Sequence, residues 1–139
     1  MTREARLMAG LTILLVPTII WGGLFLLGGL THGAAGIGQH HDLDPTQTAL
    51  FRAGHAHAGV LIILSLVIQI LLDWAHLPPA WKWLARIAAP LGALAVSIAF
   101  FGLAFDPTFK WLTYFGVVCV VVATLTTGVG LLRRPAASA

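Results

Sequence analysis

The sequence predicts an all-α protein, an integral membrane bundle of four helices with both termini cytoplasmic, and three observations carry that prediction. Of its 139 residues, 58% are hydrophobic and 9% charged, against roughly a quarter charged in a soluble domain. Four apolar segments, at about 7–30, 53–73, 84–105 and 111–132, approach or exceed the roughly 20 residues that cross a hydrocarbon layer. The basic residues are placed asymmetrically. Arg3, Arg6, Lys82, Arg86, Arg133 and Arg134 fall at one set of segment ends, whereas only Arg52 and Lys110 fall at the other, beside Asp42, Asp44 and Asp106. By the positive-inside rule the Arg-rich ends are cytoplasmic, which places the chain in a cytoplasmic membrane of the bacterial inner-membrane type.

The first segment is long and no small-x-small site follows it, so it is expected to remain as a helix rather than be removed as a leader. It contains Pro17 and several glycines, which neighbouring helices must accommodate. A loop of about twenty residues, including "THGAAGIGQHHDLD", leads to the second segment. In the third, Ala88, Gly92, Ala95, Ala99 and Gly102 recur at spacings of three and four and share one face, where another backbone can approach closely. The fourth carries no charge, and Gly116, Gly128 and Gly130 are read as packing positions. Trp74, Trp81, Trp83 and Trp111 stand at segment ends, as an interfacial belt requires. The chain is one domain, surrounded by membrane lipid.

This pattern excludes several functions. The net charge of +3 sits in clusters beside apolar segments, which is a topology signal rather than a nucleic-acid surface. Cys119 is the single cysteine, so no internal disulfide or CxxC motif exists. A transporter is disfavoured because charges within the spans are nearly absent and no inverted repeat is evident.

Chemistry concentrates in histidine. His32, His40, His41, His55 and His57 collect on the extracytoplasmic side, and His76 lies opposite. In "LFRAGHAHAGVLIILSLV", His55 shares a helix face with Gly59, Ile62, Leu66, Gln69 and Asp73, whereas His57 is turned by about 200°. A helical second segment therefore cannot offer both rings to one small ion. Three readings stay open: amphipathic structural histidines, a copper or zinc site built from the loop and one of these rings, or a single imidazole serving as axial haem ligand. For the haem reading, Ala58 and Gly59 are small positions that let a macrocycle approach the helix.

The start "REARLMAGLTILL", the step "RAGHAHAG" and four spans in so short a chain resemble the styrene oxide isomerases. The resemblance implies a homotrimer with haem b near subunit boundaries, bound through His57 with Ala58 and Gly59 beside it. It also implies isomerisation of a small apolar epoxide to an aldehyde, with ferric haem as Lewis acid. The family pattern places an asparagine shortly after the ligand, and an aspartate and a tyrosine on the third span. Here those positions correspond to Ile63 and to the neighbourhoods of Ala95 and Leu103, all apolar. The polar groups left to orient such a substrate are Tyr114, Gln69 and His55. The competing class is a non-catalytic membrane haem protein, a sensor, carrier or redox partner. Electron transfer between paired haems is disfavoured because the third and fourth spans contain no histidine.

Overall fold

The computed structural model describes residues 1–37 and 43–133, which contain helices and turns only. In chain order these are α1 (Arg3–Ile13), α2 (Val16–Leu30), α3 (Pro45–Trp74), α4 (Pro79–Leu103), a short 3-10 turn (Pro107–Phe109) and α5 (Lys110–Leu132). With α1 and α2 taken together, four helical stretches are long and apolar enough to cross a membrane: Arg3–Leu30, Pro45–Trp74, Pro79–Leu103 and Pro107–Leu132. The helix α4 packs against both α3 and α5, while α1 and α2 lie along α3.

Each boundary has a local cause. The first stretch breaks after Ile13 because Pro17 cannot donate to the Ile13 carbonyl and its ring crowds that oxygen. The second begins earlier than the apolar pattern, at Pro45. Asp44 caps it by accepting from the Gln47 backbone N–H at 2.8 Å, and the Gln47 side chain accepts from the Asp44 N–H at 3.1 Å. This is a reciprocal capping box with proline at the first helical position. The signal "DPTQ" was present in the sequence but polar, so hydropathy missed it. The Gln47 amide also donates to the Ala104 carbonyl at 3.1 Å, fastening the start of α3 to the end of α4. At this end Phe51 is ringed by Phe25, Phe101 and Phe105, with centroids 5.3–6.3 Å away. Asp106 accepts from the Thr108 N–H at 2.8 Å in the α4–α5 turn. Hydrogen bonds from Thr108 hold its carboxyl below the usual carboxylate range.

The small-residue stripe on α4 is where α5 comes closest. A Cβ on Gly92 would stand 2.9 Å from the Gly116 carbonyl oxygen, and one on Gly116 would stand 2.8 Å from the Val96 backbone nitrogen. Neither position admits a side chain without separating the helices. Gly128, by contrast, faces open space.

The opposite end of the bundle is held by a polar network. Pro90 lies inside α4 and leaves the Arg86 carbonyl without its helical partner. The Gln69 amide of α3 supplies the missing donor, at 2.9 Å. In return the Arg86 guanidinium donates to the Gln69 carbonyl at 2.9 Å and forms an ion pair with Asp73 at 2.7 Å. Thr2 closes the network, its N–H and hydroxyl each donating to Asp73 at 2.8 Å. Sequence reading counts Arg86 among the flanking charges, but its side chain is only 3% exposed and belongs to the interior. The backbone of the α3–α4 link joins the same end of α5, with His76 N–H donating to the Gly130 carbonyl at 2.8 Å.

Removing one partner of a buried, hydrogen-bonded ion pair costs about 3–5 kcal/mol. Asp73→Ala is therefore expected to lower the unfolding midpoint in detergent far more than Glu4→Ala on exposed α1 surface, as thermal melts followed by circular dichroism would register. Equal, small shifts for both variants would show that the network does not hold the bundle.

Candidate functional site

The helix α3 is continuous from Pro45 to Trp74, so His55 and His57 both lie within it, about 15–18 Å from its start at 1.5 Å per residue. The two rings accordingly project to different sides, as the helical wheel requires.

His57 is exposed, and two contacts fix its ring. Nδ1 lies 2.7 Å from the Ala53 carbonyl oxygen, one turn back on α3. A carbonyl oxygen can only accept, so Nδ1 carries the proton and Nε2 of the neutral ring keeps its lone pair. The ring face stacks on Phe100 of α4, with centroids 4.7 Å apart and planes at 24°. A ligating histidine commonly donates its other ring N–H to a carbonyl, which fixes the tautomer and raises the basicity of the ligating nitrogen. Gly59, one turn from Ala56, meets nothing within 4 Å of where a Cβ would stand, so the helix surface there is open. Ala56 is likewise exposed. Ala58 is not part of this surface; it is buried and lines a cavity on the other side of α3.

That cavity is a partly open crevice of about 200 Å³ between α2, α3 and α4, and His55 contributes to its wall. Gly23 of α2 makes room for the His55 ring, since a Cβ there would lie 2.9 Å from Cε1. Pockets for drug-sized molecules occupy roughly 300–1,000 Å³, so a macrocycle does not fit this crevice.

The three groups left by sequence reading to orient a substrate are not assembled within one chain. Gln69 is 0% exposed, with its amide committed to Arg86. It also lies twelve residues beyond His57 on the same helix, a separation of about 18 Å. Tyr114 is exposed on α5 and packs edge-on against Trp111, at 5.7 Å. His55 faces the crevice. The buried positions of α3 include Ala58, Ile62, Ser65, Gln69 and Leu72; Ile62 and Gln69 belong to the face that carries His55, whereas Gly59, Leu66 and Asp73 of that face are only partly buried.

Among the described residues no group of three or more His, Cys, Asp or Glu side chains is placed to hold a metal ion. His40, His41 and Asp42, with Arg134 of the basic cluster, lie outside the described residues. His32 sits in the turn after α2 with φ of 50°, followed by Gly33 at φ 80°. Two features escaped sequence reading: Phe100 as a platform for His57, and the His55 crevice. Both depend on which residues of α2 and α4 face α3. No protein-family model, curated protein or solved structure matches the chain.

The hydrogen bond to Ala53 makes a direct prediction. In ¹⁵N-histidine spectra of the neutral ring, His57 is expected as the Nδ1–H tautomer, with Nε2 unprotonated. Observation of the Nε2–H tautomer would remove the geometric basis for ligation at Nε2.

Proposed function

We propose that this chain is an integral membrane haem b protein of the cytoplasmic membrane, with both termini cytoplasmic and His57 as axial ligand. The observation that carries the reading is the oriented imidazole: a proton fixed on Nδ1 by Ala53, a face braced by Phe100, and an unengaged Nε2 on an exposed surface. Most polar side chains inside a bundle end in a closed hydrogen-bond network, as Gln69 and Arg86 do. Among the described residues nothing bonds His57 Nε2, which leaves one strong ligand atom available.

Arg3, Arg6, Lys82 and Arg133 at one end, against Arg52 and Lys110 at the other, support the orientation even with Arg86 withdrawn from the count. The outward face of α3, with Val60, Ile63, Val67 and Ile70 exposed, suits hydrocarbon. A haem at His57 would lie on the surface of one chain, where a second copy packed against α3 would cover it. That supports a homo-oligomer, a trimer by the resemblance to styrene oxide isomerases.

Bound haem iron supplies a Lewis acid able to polarise an epoxide oxygen. The chain's own contribution is to hold the ligating nitrogen in one orientation and to keep its surroundings apolar and dry. Within this reading the enzymatic reaction is isomerisation of a small apolar epoxide to an aldehyde. A haem carrier or sensor is the alternative, favoured by one observation: Gln69 stands about 18 Å along α3 from His57, with its amide held by Arg86.

Protein purified in detergent from haem-replete cells is expected to show a Soret band that His57→Ala abolishes and His55→Ala retains. A colourless wild-type preparation would refute haem binding. Coloured protein that turns over no aryl or alkyl epoxide, without added reductant, would decide for the carrier or sensor.

Orientation is tested separately in a Cys119→Ala background. A membrane-impermeant maleimide added to intact cells is expected to label Thr46→Cys and to spare Ala80→Cys until the membrane is opened. The reverse pattern would invert the topology.

A further inference from the structure

The crevice behind His55 is a site in its own right. Its walls are apolar, formed by Leu15 and Ile19, Ile62 of α3, and Leu94, Ile98 and Phe101 of α4. Three polar side chains reach it: Thr18, Ser97 and His55. Thr18 Oγ1 donates to the Leu15 carbonyl at 2.6 Å and Ser97 Oγ donates to the Ala93 carbonyl at 2.7 Å. Both hydroxyl protons are thus committed, and what these oxygens still offer is lone pairs. His55 differs. Its ring is partly buried and has no hydrogen-bond partner among the described residues. The ring is half-buried in the wall of a partly open cavity, so a ligand that enters meets a ring nitrogen with bonding capacity to spare.

The geometry points to a binding site for a ring-sized lipophile bearing one hydroxyl, with its oxygen accepting from the His55 N–H and its body against the apolar walls. Size supports this class: an apolar cavity of about 150 Å³ in another protein takes up benzene, and this one is about 200 Å³. The donor inventory supports the hydroxyl. His55 provides the N–H among the lining side chains, and Thr18 and Ser97 provide acceptors for the ligand's own proton. A plain hydrocarbon leaves His55 unpaired, and an ammonium would carry a charge with no carboxylate among the lining residues. The site lies on the side of α3 turned away from His57, so it does not rest on the haem reading.

The test uses the full chain in detergent micelles with ¹³C-labelled histidine, titrated with p-cresol or with toluene. p-Cresol is expected to shift the His55 Cε1–H resonance saturably and to bind about tenfold more tightly than toluene, the worth of one good hydrogen bond. His55→Phe keeps the ring and removes the donor, and is expected to bring the two affinities together. Gly22→Leu fills the crevice from α2, where a Cβ meets nothing within 4 Å. It is expected to abolish binding of both probes with the thermal midpoint unchanged. His57→Ala is expected to leave both affinities as in the wild type, which separates this site from any haem. Equal affinities in the wild type, or uptake that Gly22→Leu does not reduce, would overturn the proposal. So would a His55 resonance unmoved by either probe, which would assign the crevice to water alone.

Discussion

A proline inside a helix organises much of this bundle. Pro90 deprives the Arg86 carbonyl of its helical hydrogen bond, and an apolar interior provides no water to replace it. Gln69 replaces it from α3. Because the same glutamine lies against Arg86, the guanidinium is drawn inward onto the Gln69 carbonyl and Asp73, and Asp73 in turn receives Thr2 ahead of α1. One missing backbone donor thus fixes the relative height of α1, α3 and α4. The register at the other end is set by Gln47, which caps α3 and ties it to the last turn of α4.

Between these two clamps, close packing decides which surfaces remain available. Gly92 and Gly116 bring α4 and α5 into backbone contact, which leaves little room for chemistry between them. The looser junction is among α2, α3 and α4, beside the break that Pro17 forces between α1 and α2. There the helices leave a cavity, and His55 enters it. His57 emerges on the other side of α3 and is braced rather than buried. The two histidines are separated by a single residue yet serve different surfaces, because a continuous helix turns about 200° over two positions.

This arrangement bears on how far a resemblance carries. The proposed ligand role of His57 asks for one fixed ring with an available nitrogen, and the contacts with Ala53 and Phe100 fix that ring. Two of the groups named from the sequence to orient a substrate are turned elsewhere: Gln69 is consumed by the consequence of Pro90, and His55 lines the crevice on another side of α3. A ligating residue needs only its own helix and one neighbour to be positioned. A catalytic constellation needs several elements to agree.

The sequence by itself determined the helical class, the four apolar stretches, the close-packing stripe on α4 and the divergence of His55 from His57. Those properties depend on composition and on the period of a single helix. Several things fell to the tertiary structure alone. Arg86 reads as a flanking charge until its partners on α3 are in place. Gln69 reads as an available polar group until the carbonyl freed by Pro90 claims it. Ala58 reads as a neighbour of His57 until α2 and α4 enclose it beside His55. Each of these depends on which residue of one helix meets which residue of another. That matching is settled by packing and by the need to satisfy every buried polar group, and no single segment of the sequence records it.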